Sequence, residues 1–170
     1  MKILETRRLI LRRLVPEDLD ALFALYSDPE ARRFFPEGTL SYAETKRELE
    51  WFSAGHPEHP ELGLWATICK ESGRFIGRCG LLPWTIDGVL EVEVAYLLDK
   101  RYWRRGLGAE AAEALVRYGF ERLGLRRLIA LIDPANDASI RTAERAGLRF
   151  ERTIEFEGQC SLYAIRLQPR

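Results

Sequence analysis

Between Leu90 and Leu123 the spacing of apolar residues changes from every second position to every third or fourth. The change falls on one basic, glycine-bearing turn, Asp99-Lys-Arg-Tyr-Trp-Arg-Arg-Gly-Leu-Gly108. Before it, Leu90, Val92, Val94, Tyr96 and Leu98 share one face of a strand, while Glu91, Glu93, Ala95 and Leu97 share the other. After it, Leu107, Ala111, Ala114, Leu115 and Tyr118 form the stripe of an amphipathic helix running to about Leu123. A strand that hands the chain straight to a long helix must bury that helix against its own sheet, which restricts the fold to the α/β class.

The remaining elements extend this frame. Thr6 to Leu14 alternates well enough for a strand, and Pro16 with Glu17 and Asp18 opens a helix through Ser27 that turns Leu19, Leu22, Phe23 and Tyr26 inward. Asp28-Pro29 ends it. Ser41 and Glu44 have capping-box spacing and start a second helix, about Tyr42 to Ser53. Leu64 to Lys70 and Arg74 to Leu82 flank Glu71-Ser-Gly-Arg74 as a hairpin, in whose register Cys69 faces Ile76. Leu128 to Ile132 is short and nearly all apolar, which suits a central parallel strand. A helix from Asp137 to Ala146 stops at Gly147, and Phe150 to Phe156 with Ser161 to Leu167 close the chain as a hairpin. The expected order is β-α-α-β-β-β-α-β-α-β-β, a mixed sheet of about seven strands with four helices. With no linker or repeat, residues 1–170 are expected to form a single domain.

Composition narrows the function. Twenty-six basic residues balance 26 acidic ones, so no global field draws the chain to nucleic acid or to an anionic membrane. Three widely spaced cysteines, Cys69, Cys79 and Cys160, lack a C-x-x-C pair and read as buried thiols of a cytoplasmic protein. His56 and His59 lie in Gly55-His-Pro-Glu-His-Pro60, whose two prolines forbid the helical zinc-binding face, so no metal site is expected. No apolar run reaches the roughly 20 residues of a membrane span.

The glycine turn carries the chemistry. A turn of this kind leaves main-chain N–H groups unpaired at the start of a helix, where the helix dipole adds partial positive charge. Gly106 and Gly108 permit close approach, and Arg104 and Arg105 offer charge-assisted contacts, so the turn reads as a diphosphate cradle; the alternative is a plain connection with solvated arginines. Gly106-Leu-Gly108-Ala-Glu-Ala111, with Asp133 downstream, also fits the dinucleotide fingerprint G-x-G-x-x-A. Seven residues separate Leu98 from Gly106, however, where that fingerprint puts its first glycine at the strand end, so a nicotinamide dinucleotide stays a remote reading. No Gly-Lys-Ser or Gly-Lys-Thr of a Walker loop occurs.

Glu93-Val-Ala-Tyr96, followed by Tyr102-Trp-Arg-Arg-Gly-Leu-Gly-Ala-Glu-Ala111, resembles the acetyl-CoA motif of the GNAT superfamily of N-acetyltransferases. Trp103 at the motif's first position, Asn136-Asp-Ala-Ser139, Ala146-Gly-Leu148 and the opening Leu4-Glu-Thr-Arg-Arg-Leu-Ile-Leu-Arg12 are similar to the RimJ/RimL branch. The resemblance implies a GNAT fold whose sheet splays between Leu90–Leu98 and Leu128–Ile132 to hold acetyl-CoA. It also implies transfer of acetyl to a primary amine by direct attack in a ternary complex. The cofactor would be held by main-chain groups of Tyr96, Leu97 and Leu98, by the turn Arg104, Arg105, Gly106, Leu107, Gly108 and Ala109, and by Asn136 and Ser139. Glu110 matches a position that helps shape that site. The acceptor would be a protein N-terminus, such as that of a ribosomal protein, or a small amine, and a homodimer is compatible with the resemblance.

Such a transfer needs a base, donors for a developing oxyanion and an acid for the leaving thiolate. Glu93 is the expected base because its face looks into the cleft and away from the helix after the glycine turn; Glu91 shares that face, and two neighbouring carboxylates raise one another's pKa and attract a cationic amine. The tyrosine that many GNAT enzymes place seven residues after the motif asparagine is Ala143 here. Ser139 takes its place as the acid or else bonds within the first turn of its own helix. Phe34, Phe35 and Trp84 fall in expected loops, where they either border the acceptor pocket or pack into the core. The missing tyrosine also leaves open a domain that binds acyl-CoA without turnover.

Overall fold

A computed structural model describes residues 1–168. The chain forms strands β1 (Lys2–Glu5) and β2 (Leu9–Arg12), helices α1 (Leu19–Tyr26) and α2 (Tyr42–Ala54), and strands β3 (Gly63–Cys69), β4 (Phe75–Ile86) and β5 (Val89–Leu98). Helix α3 (Leu107–Glu121), strand β6 (Arg127–Ile132), helix α4 (Asp137–Arg145) and strands β7 (Arg149–Glu155) and β8 (Gln159–Arg166) follow. One mixed eight-stranded sheet has the order β1-β2-β3-β4-β5-β6-β8-β7. Among the described residues only β5 and β6 run parallel, and they meet at a single register, Glu93 opposite Ile129.

The sheet separates two layers. Leu107, Ala111, Leu115 and Ala143 of α3 and α4 bury against Val92, Val94 and Leu98 on one face. On the other, Leu22, Leu25, Tyr26 and Leu49 of α1 and α2 bury against Ala66 and Leu97. Alternation along β5 therefore sends Leu97, and Glu93 with it, to the α1/α2 side, and sends Tyr96 to the α3/α4 side. Three alanines, Ala111, Ala112 and Ala114, let α3 approach closely, and a Cβ on Gly119 would stand 3.0 Å from Leu128 Cδ1.

The expected opening strand is instead two strands. The Thr6 hydroxyl accepts the Leu9 amide, and Thr6 N bonds Leu9 O, so the chain folds back at Arg7-Arg8 and β1 adds an eighth strand at the sheet edge. Pro16–Asp18 is a short 3-10 turn ahead of α1, and Asp18 is held by Arg12 through two bonds of 2.8 Å. Ser41 and Glu44 form the expected capping box. The β3–β4 pairing sets Thr67 opposite Gly77, one position off the expected register, and a bulge between Thr67 and Ile68 shifts it by one more, so Cys69 stands beside Arg74 rather than Ile76. Strand β4 runs on to Ile86 because Asp87 (φ 51°) and Gly88 (φ 76°) make a two-residue hairpin turn into β5. The three cysteines are free; Cys69 and Cys79 are buried and Cys160 is partly exposed. Among the described residues no cluster of metal-ligating side chains occurs, and no helix is long and apolar enough to cross a membrane.

Candidate active site

Beyond Glu93 and Ile129 the parallel strands part, so the β6-facing edge of Val94 to Leu98 has no strand partner among the described residues. The gap leads into a cavity of about 870 Å³ that is lined from both faces of the sheet. Glu93, Trp84, Phe34 and Phe35 border it together with Tyr96, Asn136 and Ser139. The fold thus gathers at one opening residues that lie more than one hundred positions apart in the chain.

Glu93 is the best-defined group there. Its Oε2 accepts the Trp84 indole N–H at 2.6 Å. Burial pushes its carboxyl up to about 7, against the lowering influence of that indole, of the Arg78 charge and of the Leu131 amide. A carboxyl that titrates near neutrality can take a proton from an ammonium group and release it again.

Glu91 does not join it. Its carboxylate accepts from Arg127 Nε at 3.0 and 3.1 Å at the closed end of the strand pair, and Arg127 in turn donates to both oxygens of Glu151. The expected pair of carboxylates is therefore not formed, because a cation from β6 occupies Glu91; the like charge that acts on Glu93 comes from Glu157, on the β7–β8 turn.

Across the gap, α4 begins at Asn136, whose Oδ1 accepts the Ser139 amide at 3.2 Å. This frees the Ser139 hydroxyl from capping, and it lies 3.1 Å from the Tyr96 hydroxyl, which also donates to the Ser139 carbonyl at 2.8 Å. Tyr96 contributes a side chain and not only main-chain groups, and burial holds its phenol protonated far above neutrality. Ala143, on the inner side of α4, is fully buried and packs into the core.

The glycine turn lies at the far end of β5. Arg104 (φ 60°) and Gly106 (φ 74°) adopt the left-handed conformation, and the first main-chain bond of α3 runs from Glu110 N to Gly106 O. The amides of Leu107, Gly108 and Ala109 therefore have no acceptor within the helix. Arg104 and Arg105 are exposed beside them. Trp103 fixes the turn to the strand by donating its indole N–H to Leu98 O at 2.8 Å. Free amides, a left-handed glycine and two guanidiniums fit a diphosphate. Glu110 faces the other way, accepting from Thr6 Oγ1, Arg8 N and Arg8 Nε, while Arg8 Nη1 bonds Arg105 O at 2.8 Å. None of the turn's residues lines the central cavity; Gly106 and Ala109 border a separate groove between α3 and the chain from β1 through the Thr6–Arg8 turn.

Three further arginines that carried no expectation from the sequence line the central cavity, Arg32, Arg33 and Arg78, and of these Arg32 and Arg78 are buried. Arg78 was legible as a lone cation within the apolar strand Phe75–Leu82; Arg32, in a loop, carried no such signal.

The family model described as acetyltransferase (GNAT) domain matches residues 8–149. The chain is 34% identical over 152 residues to the Bacillus subtilis protein YkkB, covering 89% of this chain and 87% of YkkB. It is 31% identical over 153 residues to the B. subtilis N-acetyltransferase YoaA, covering 89% and 85%. Among solved structures, an acetyltransferase from Agrobacterium tumefaciens superposes with a TM-score of 0.82 at 26% identity, covering 98% of this chain and 95% of that one.

Proposed function

This chain belongs to the GNAT acetyltransferase family, and on that premise we propose that it acetylates a primary amine by direct attack on acetyl-CoA within a ternary complex. Acetyl-CoA supplies the activated acetyl group as a thioester. Its diphosphate is held by the amides of Leu107, Gly108 and Ala109 with Arg104 and Arg105, and the unpaired edge of Tyr96, Leu97 and Leu98 offers main-chain donors further in. Asn136 sets the start of α4, and with it Ser139.

Glu93 is the base. From the α1/α2 side it takes the proton of the incoming ammonium group, and a carboxyl poised at about 7 does so at neutral pH. The Tyr96 and Ser139 hydroxyls, 3.1 Å apart, stand on the opposite side of the sheet and supply the proton to the departing thiolate. A hydroxyl pair in this place answers for the missing tyrosine and favours turnover over silent binding. The single observation behind the reading is that one strand presents a near-neutral carboxyl to one face and a bonded hydroxyl pair to the other, where its parallel partner leaves it.

The RimJ/RimL-like opening segment and Trp103 support a protein N-terminus as acceptor, with a small amine as the alternative; residues 1–170 act as one domain, in the cytoplasm, as a monomer or homodimer. Measuring CoA release with acetyl-CoA and a broad amine panel tests the reading. Turnover should appear with at least one amine and be lost in Glu93→Gln while calorimetry still detects acetyl-CoA binding. No heat from acetyl-CoA with the folded protein would end it.

A further inference from the structure

We propose that the acceptor is an anionic primary amine, an amino-carboxylate whose acid group is received by Arg78 and Arg32 while its amino group lies at Glu93. This rests on the transfer reading above and names the substrate class of that same cavity.

Arg78 is 5% exposed, yet its one hydrogen bond among the described residues runs from Nε to the neutral Tyr26 hydroxyl at 3.0 Å. No carboxylate stands within ion-pair distance of it among the described residues, and its terminal nitrogens are left to the cavity that it lines. Arg32, 4% exposed, donates Nε to Gly38 O at 2.7 Å and meets only the exposed Glu37, at 3.5 Å. Both guanidiniums lie over the same two rings, Arg32 at 5.0 Å from Tyr26 and 4.1 Å from Phe35, Arg78 at 5.6 and 5.5 Å. Glu48, the carboxylate on the inner side, hydrogen-bonds neither of them, although its charge acts on both, and its Oε2 is buried without a hydrogen-bond partner among the described residues. Arg78 is thus held by aromatic faces and by the charge of Glu48 without a carboxylate at bonding distance among the described residues, and Arg32 has only its ion pair with the exposed Glu37, an arrangement that a ligand anion would complete.

The floor of the cavity sets the spacing. Arg78 stands opposite Leu97, Gly80 opposite Ala95 and Leu82 opposite Glu93, all on one face of β4 and β5. Arg78 and the Glu93 row are four residues apart along the strand, about 13 Å between backbone positions, and the small Ala95 lines the cavity between them. That span fits an amine and a carboxylate separated by several methylenes better than an α-amino acid. The Arg78 charge acts on the Glu93 carboxyl, and both groups line one cavity.

The test compares three acceptors of equal length in the CoA-release assay: 5-aminopentanoate, pentylamine and 1,5-diaminopentane. The carboxylate should win in kcat/KM by about 30-fold, the effect of one or two charge-assisted hydrogen bonds. Arg78→Gln should remove most of that preference, Arg32→Gln part of it, and Arg78→Lys should keep part. A peptide beginning Ala-Glu-Glu, set against Ala-Lys-Lys, shows whether the acid group belongs to a free amino acid or to a peptide side chain. Preference for pentylamine or the diamine, or an unchanged preference in folded Arg78→Gln, overturns the proposal and leaves acetyl transfer standing. If Arg78→Gln does not fold, the wild-type series decides. No CoA release with any amine sinks the transfer reading itself.

Discussion

Replacing Glu93 by glutamine should make the protein more stable at alkaline pH while abolishing turnover. The wild-type carboxyl titrates at about 7 in the fold against 4.5 for the free side chain. Below pH 4.5 it is neutral in both states, so glutamine and glutamic acid are nearly equivalent; the amide oxygen of glutamine still accepts from Trp84. As pH rises from 4.5 to 7 the unfolded chain ionises first, and the folded state loses relative stability until its own carboxyl ionises. At about 1.4 kcal/mol for each pH interval, the loss reaches at most about 3 kcal/mol above pH 7. Glutamine removes it, which corresponds to a rise in Tm of roughly 6 to 12 °C for a chain of this size. Urea unfolding of both proteins at pH 4.5 and pH 8.5 measures the gap. If the difference in stability were the same at the two values, Glu93 would not be an abnormally basic carboxyl, and its assignment as the base would lose its physical ground.

Three other outcomes are expected. Trp84→Phe keeps a ring against Phe156, at 5.1 Å in the wild type, but removes the indole N–H from Glu93; the acid limb of the kcat/KM profile should move up from about pH 7 by about one pH interval. Gly106→Ala forces a side chain into φ 74° at a cost of about 1 to 2 kcal/mol, and calorimetry should find acetyl-CoA bound about ten-fold more weakly. Arg127→Leu leaves the carboxylate of Glu91 buried and unpaired, and denaturant unfolding should register a loss of about 3 kcal/mol.

The parts of the fold that rest on local pattern were legible in the sequence. The alternation of Leu90 to Leu98 and the stripe from Leu107 gave β5, the glycine turn and α3, and with them the face on which Glu93 stands. The N-terminal hairpin was not legible, since four-residue strands around Arg7-Arg8 read as one alternating run. Partners contributed by distant segments were hidden as well. Nothing near Glu91 indicates that Arg127 holds it, and the Tyr96 hydroxyl acquires a role only once Asn136 has placed α4 across the gap. Arg32 and Arg78, far apart in the chain, converge only through the rings of Tyr26 and Phe35.

The interval between Glu93 and Tyr96 is an odd number of residues, and on a pleated strand parity decides side. Inserting or deleting one residue between them would bring both groups to the same side of the sheet. Substitutions along this stretch are a matter of degree, whereas a change in its length by one is all or nothing, so lineages of this domain that still turn over should vary the letters of the segment and preserve its count.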